Sequence, residues 1–253
     1  MSEDKNPIQV ADRLFLILET LADTGSANLI DLSKNLHLHK STVHRLLNSL
    51  VFMGYVKQNP KSGQYGLTFK LAEIANKMLG QMDVLTIVRP YLKKLSVQTG
   101  ETVHLVQLDG ADAIYIDKVE SNRNSVQMVS KIGNRIPVYC SGVGKAMAAA
   151  MDKKTLDTLW YSSNIRKLTK HTIVDYEQFL KVLDEVKRKG YALDDGEYEE
   201  GVRCIAAGLQ DYDGSVKYAF SISAPVQRMS RQRILELSKN VLKIKEQILQ
   251  EFM

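Results

Sequence analysis

The stretch His39-Lys40-Ser41-Thr42-Val43-His44-Arg45-Leu46-Leu47-Asn48-Ser49-Leu50 decides how the front of the chain folds. At helical spacing Val43, Leu46, Leu47, Leu50 and Val51 fall on one face, recurring at i, i+3, i+4, i+7 and i+8. The opposite face carries Ser41, His44, Arg45 and Asn48, flanked by Lys40, Thr42 and Ser49. A solvated helix normally mixes Glu with Lys so that charges pair along the face. Here the carboxylates are missing: from Leu32 to Ala72 the sequence holds six Lys or Arg, three of its five His and no Asp or Glu. Hydroxyls, an amide, imidazole and guanidinium without an anion suit the phosphates and base edges of nucleic acid.

The sequence on either side completes a known arrangement. Upstream, Ile8, Ala11, Leu14, Phe15, Leu18, Leu21 and Ala22 make a helical stripe that stops at Thr24-Gly25. Asn28 is a candidate cap for a second helix with Leu29, Leu32 and Leu36 inward, and His37-Leu38 breaks it. Two helices across a tight turn, the second polar outside, is the helix-turn-helix pattern. Downstream, Gly54 ends the helix. Tyr55 to Asn59 predicts a strand, Pro60-Lys61-Ser62-Gly63 a turn, and Gln64 to Leu67 a returning strand. Such a hairpin is a wing, with Lys61 at its tip in reach of a phosphate. Lys40, Ser41, Thr42, His44, Arg45, Asn48 and Lys61 are therefore the candidate DNA-binding residues. Arg45 and His44 are expected at base edges and the lysines on the backbone.

After Thr68, a plausible cap, Leu71, Ile74, Ala75, Met78, Leu79 and Met82 predict a connector helix. It either packs on a copy of itself or covers the hairpin. Another helix follows over Val84 to Gln98, with Pro90 expected to kink it. From Val103 the hydrophobic period changes from 3.6 to 2. Val103 to Leu108 and Ala113 to Val119 flank an Asp-Gly turn, and Val126 to Ser130 predicts a third strand. Ile205 to Leu209 and Val216 to Ser223 flank the Asp213-Gly214 turn. Helices are expected at Gly142 to Met151, Lys153 to Tyr161, Asp175 to Lys189 and Ser230 to Phe252. Hairpins with helices in separate blocks argue for α+β with an antiparallel sheet. The boundaries that follow are 1–69 for the winged domain, 70–83 for the linker helix and 84–253 for the C-terminal domain.

Sites of chemistry are scarce in the second half. Gly142-Val143-Gly144-Lys145 lacks the upstream glycine of a P-loop, and Cys140-Ser141 lacks a nucleophile elbow. Ser141 to Gly144 opens a helix, so its amides can receive a carboxylate, or its glycines simply permit close packing. Asp194-Asp195-Gly196-Glu197-Tyr198-Glu199-Glu200 has the composition of a solvated loop, although its neighbours make Asp194 a candidate pocket wall. His104 fits a strand residue better than a ligand. Cys140 and Cys204 lack metal-ligand spacing and are expected as free thiols. No apolar run nears the ~20 residues that span a bilayer, and Met-Ser-Glu-Asp-Lys-Asn-Pro contains no signal-peptide core. A cytoplasmic protein without membrane contact is expected.

In this order the motifs resemble the IclR family of transcriptional regulators, over nearly the whole chain from Ile8. They are Lys40 to Leu47 with Gly54-Tyr55-Val56 and Tyr65-Gly66-Leu67, then Gly100-Glu101-Thr102-Val103-His104-Leu105. Ser141 to Ala146, Gly190 to Glu197, Gly201 to Ala207 and Ser221-Ile222-Ser223 follow. The resemblance implies a winged helix-turn-helix domain joined to a GAF-like effector-binding domain. It also implies homodimers, or dimers of dimers, on double-stranded palindromic operators. Family pocket positions fall here on Met128, Ile136, Gly142, Val143, Asp194, Cys204, Ser221 and Ser223, with a small organic or sugar acid as the implied effector. Some relatives hold a metal in this pocket, for which His104, Cys140 and Cys204 would be recruits; no metal or cofactor is expected here. The expectation is a ligand-controlled repressor. The alternatives are an activator of the same architecture and an enzyme using Cys140, Ser141 and Asp194 on a small carboxylic acid.

Overall fold

The computed structural model describes residues 6, 8–80, 83–120, 130–211 and 214–252. The chain divides into two compact units, residues 1–81 and 82–253.

The first unit is built on α1 (Gln9–Thr24), α2 (Leu29–Asn35) and α3 (Lys40–Phe52). Gly25, at φ +77°, ends α1 with its amide on the Leu21 carbonyl. The Asn28 side chain accepts the Asp31 amide at 2.9 Å and caps α2 as expected. His37 carries the turn into α3 with φ +50°, left-handed backbone that histidine tolerates better than branched residues. Ile17, Leu18, Leu21, Leu32, Val43, Leu46, Leu47 and Leu50 form the core. The expected stripes need two corrections. Val51 is 40% exposed, beyond the edge of the buried face of α3. On α1 the buried face centres on Ile17, leaving Ile8, Phe15 and Ala22 exposed.

The hairpin is present as β2 (Val56–Gln58) and β3 (Tyr65–Leu67). A third strand, β1 (Ser26–Ala27), pairs with the other side of β3 and ties the end of α1 to the wing. Two residues are too few to carry a readable periodicity, and no strand was expected there. The connector is α4 (Lys70–Gly80), and the Thr68 hydroxyl accepts the Lys70 amide at 3.2 Å. Of its apolar stripe Leu71 is half-buried and Ile74, Ala75 and Met78 are exposed. The side chains of Leu79 and Met82 lie outside the described residues.

The second unit is a six-stranded antiparallel sheet in the order β6-β5-β4-β9-β8-β7. Its strands are β4 (Thr102–Asp109), β5 (Asp112–Val119), β6 (Arg135–Pro137), β7 (Ala192–Asp195), β8 (Val202–Gln210) and β9 (Val216–Pro225). Two of these, β6 and β7, were not among the expected strands. The strand expected at Val126 to Ser130 falls outside the described residues up to 129. The acidic run is not wholly a solvated loop, because its first two residues close β7. The Asp213-Gly214 turn is described only from Gly214.

The sheet separates two cores. One face packs on α5 (Asp83–Thr99) and α9 (Arg231–Phe252) through Leu105, Ile205, Ala207, Phe220 and Ile222. Pro90 lies inside α5, which continues through it. The other face packs on α6 (Gly142–Ala148), α7 (Lys153–Ser162) and α8 (Tyr176–Lys189) through Ala206, Ala219 and Val106. Strand alternation sends neighbouring Leu105 and Val106 to opposite cores, and the bulge beside them leaves Ile116 as the extra residue on β5, between Tyr115 and Asp117. Gly144 answers the question left open above for its own position. A Cβ there would meet the Val138 carbonyl oxygen at 2.2 Å, so this glycine is set by close packing.

Candidate functional sites

The first site is the outer face of α3. Lys40, Ser41, His44, Arg45, Asn48 and Ser49 are exposed, and Thr42 is half-buried. Alternate burial by Val43, Leu46, Leu47 and Leu50 pins the helix so that these polar side chains share one surface. No acid stands in the first turn, and the N-cap residue His39 makes no side-chain hydrogen bond to it. That turn retains positive partial charge for a phosphate. Among the described residues Arg45 makes no ion pair, so its planar fork of donors is available to a base edge. Lys61 is exposed at the wing tip, where Asn59 Oδ1 accepts the amides of Lys61 and Ser62 at 2.9 and 3.2 Å and sets the turn. One cation of the acid-free run serves the fold instead. Lys70 donates to the Met53 carbonyl at 2.6 Å, at the C-terminal end of α3, and lies over the Tyr55 ring.

The second site is a cavity of about 400 Å³ in the second unit, on the sheet face that carries α6. Strand register builds its floor. Asp194 on β7 pairs with Cys204 on β8, and Cys204 with Ser223 on β9, so three inward side chains form one row across three strands. His104 on β4, which pairs with Ser221 in the neighbouring row, reaches across to this one. Ser223 Oγ lies 3.1 Å from Cys204 Sγ and 3.3 Å from His104 Nδ1, and His104 Nε2 lies 2.7 Å from Ser130 Oγ. Tyr115, Asn134, Arg135, Ile136, Tyr198, Glu199 and Val202 complete the wall. Burial, helped by Lys118, pushes the His104 imidazole down to about 3, so it sits neutral in this chain of hydrogen bonds.

Four of the expected pocket residues, Ile136, Asp194, Cys204 and Ser223, line this cavity. Gly142, Val143 and Ser221 do not. Gly142 sits behind the wall, where a Cβ would touch Ala206 Cβ at 3.4 Å and Asp194 Cβ at 3.6 Å. Val143 packs into the core under α6, and Ser221 pairs with His104 one row further along. The Gly144 amide is taken by Ser141 Oγ at 3.1 Å. Met128 lies outside the described residues. Sequence reasoning placed His104 in this pocket only as a recruit for a metal, and missed Tyr115 and Tyr198 as wall residues. A signal existed for His104, since strand alternation puts it on the face opposite Val103 and Leu105. It also missed the buried ion pair of Lys145 on α6 with Glu197 in the loop after β7. A distance of 52 residues separates the partners, and no local pattern announces it.

The residues named for an enzyme are poorly placed for chemistry. Cys140 is buried, which pushes its thiol up to about 12, and Ser141 Oγ donates to the Pro137 carbonyl while capping α6. Cys140 and Cys204 are both free thiols. Among the described residues no cluster of three or more His, Cys, Asp or Glu could hold a metal ion, and no helix is long and apolar enough to cross a membrane.

Comparison with known proteins decides the family. The model of the bacterial transcriptional regulator IclR C-terminal region matches residues 76–250, and that of the IclR helix-turn-helix domain matches residues 10–60. The chain belongs to the IclR family. KdgR of Escherichia coli K12, an HTH-type transcriptional regulator, is 36% identical over 235 residues, 92% of this chain and 89% of the relative. The transcriptional repressor IclR of the same organism is 31% identical over 95% of this chain and 89% of its own. Among solved structures, IclR of Thermotoga maritima superposes with a TM-score of 0.85 at 26% identity, covering 96% of this chain and 98% of that one. An IclR-family chain with this helix-turn-helix is a DNA-binding transcriptional regulator, α+β in class.

Proposed function

We propose that this IclR-family regulator is a repressor whose hold on a palindromic operator is set by a small organic or sugar acid in the second unit. The observation that carries the reading is the row Asp194–Cys204–Ser223 with His104, which places a carboxylate, a hydroxyl and a neutral imidazole around a cavity sized for a small metabolite. Repression is favoured because similar proteins carry that name, IclR of Escherichia coli among them.

A homodimer supplies the second recognition helix. Two apolar surfaces of the first unit favour it: Ile74 and Met78 on α4, and Phe15 and Leu16 on α1, are all exposed. Dimeric readers hold half-sites about 34 Å apart, so a small change in helix spacing releases DNA. An acid that prefers the released state 100-fold supplies only about 2.7 kcal/mol, so the two states lie close in energy without it.

The test is fluorescence anisotropy of the full chain on a duplex from its own promoter region, at fixed salt, with small acids added. Release of DNA by an acid that also raises the melting temperature supports the reading. Tight, selective DNA binding that no acid alters would remove the effector from the account.

A further inference from the structure

A cavity read as an acid site has walls that are themselves acidic. Asp194 and Glu199 both line it, and among the described residues Arg135 is the one cation of the lining. Arg135 is already engaged by Asp109 and, at 3.8 Å, by Asp112. Behind the wall Lys145, 1% exposed, is paired with Glu197 Oε1, while Glu197 Oε2 is buried with no hydrogen-bond partner among the described residues. Asp194, 3% exposed, accepts the Glu197 amide at 2.8 Å. One ammonium therefore faces two buried carboxylates.

Among the described residues, the groups that act on Asp194 from other elements bring no positive charge beyond Lys145. Cys140 ahead of α6 and Cys204 on β8 are thiols that burial keeps protonated, and Tyr115 on β5 is a phenol raised in the same way. Tyr198, in the loop after β7, is also raised. Burial accordingly pushes the Asp194 carboxyl up to about 7, against the opposing pull of Lys145 and the loop amides.

We propose that the acid enters this cavity with one proton from solvent, held between its carboxylate and Asp194, and that the cavity prefers acids with a single carboxylate. The inference rests on the small-acid reading above. Two carboxylates at hydrogen-bond distance in a dry site cannot both stay ionised, whereas a shared proton makes them donor and acceptor. A second carboxylate on the ligand would bring a charge that no unpaired cation among the described wall residues neutralises.

Calorimetric titration of the full chain with D-gluconate, D-glycerate and pyruvate, and with D-glucarate as the two-carboxylate counterpart, tests this. Each is run in two buffers of different ionisation heat from pH 6 to 8.5. The expected result is binding of a one-carboxylate probe with uptake approaching one proton at about pH 8. Its affinity should fall about tenfold per pH unit above 7, glucarate should bind more weakly than gluconate, and Asp194→Asn should flatten the pH dependence. Binding without proton uptake overturns this inference and leaves the acid site standing. Failure of every one-carboxylate probe to bind overturns the acid site, and this inference with it. Carboxyl carbon-13 titration of the ligand-free protein needs no ligand. Asp194 titrating near neutrality is expected, and a midpoint below about 5 overturns the proposal.

Discussion

Arg45 and Asp194 are both charged groups, and opposite surroundings set what each does. Arg45 is exposed and without an ion pair among the described residues, so removing it costs the fold little. Arg45→Ala is expected to lower discrimination between operator and random duplex by about 1–3 kcal/mol, roughly fivefold to 150-fold, with the melting curve unchanged; competitive DNA titration checks it. Asp194 is buried and its carboxyl is raised from 3.8 to about 7 on folding. The folded chain thus holds this proton more tightly than the unfolded chain. Its contribution to stability is complete below about pH 4 and is lost as pH rises through 7. Relative to wild type, Asp194→Asn should gain stability across that window, on the order of 2–4 kcal/mol, in denaturant melts at pH 5 and pH 8. An equal gap at both pH values would place the titrating group elsewhere. Gly144→Ala puts a methyl 2.2 Å from the Val138 carbonyl oxygen, and the backbone of α6 must move to admit it. A loss on the order of 1–3 kcal/mol in a thermal melt is expected.

At the scale of elements, legibility follows how local the determining physics is. The α3 helix was readable because its apolar period, its missing carboxylates and the Gly54 stop all lie within one short segment. The Asn28 cap and the wing turn were readable for the same reason. β1 was not, since Ser26 and Ala27 become a strand only when β3 returns beside them. β7 looked like solvated acid because Asp194 and Glu197 are made tolerable by Lys145, far off in sequence. The cavity was half legible: Asp194 came from its apolar neighbours and from the family resemblance, Cys204, Ser223 and Ile136 from the resemblance, while the tyrosines and the role of His104 as a wall residue needed the register of β4 and β5 against their neighbours. The Lys145–Glu197 pair joins α6 to the loop after β7, and cutting it from one side strands a buried charge. Lys145→Met should therefore destabilise by about 3–5 kcal/mol, and adding Glu197→Leu should recover much of the loss. Denaturant melts of the single and double variants decide it, and equal losses in both would contradict the pairing argument.

For the whole molecule the account links two units of one chain through equilibria. DNA binding is dominated by phosphate charge and must weaken with salt, whereas selectivity resides in the few side chains of α3 that meet bases. Exposed Ile74 and Met78 on α4 make an apolar stripe that a partner chain can cover. Ile74→Glu combined with Met78→Glu should shift sedimentation from dimer toward monomer and weaken operator binding; an unchanged dimer would place the interface elsewhere.

The central claim is that the acid-free face of α3 reads a duplex. The most direct measurement is a binding titration at physiological salt of wild type and Arg45→Ala on duplexes tiled across the chain's own genomic neighbourhood, with and without small acids. The account predicts one duplex bound at least about 10³-fold more tightly than random sequence by wild type, with that ratio lowered about 5- to 150-fold in the variant. No preferred duplex under any condition, or a preference that Arg45→Ala leaves intact, would contradict it.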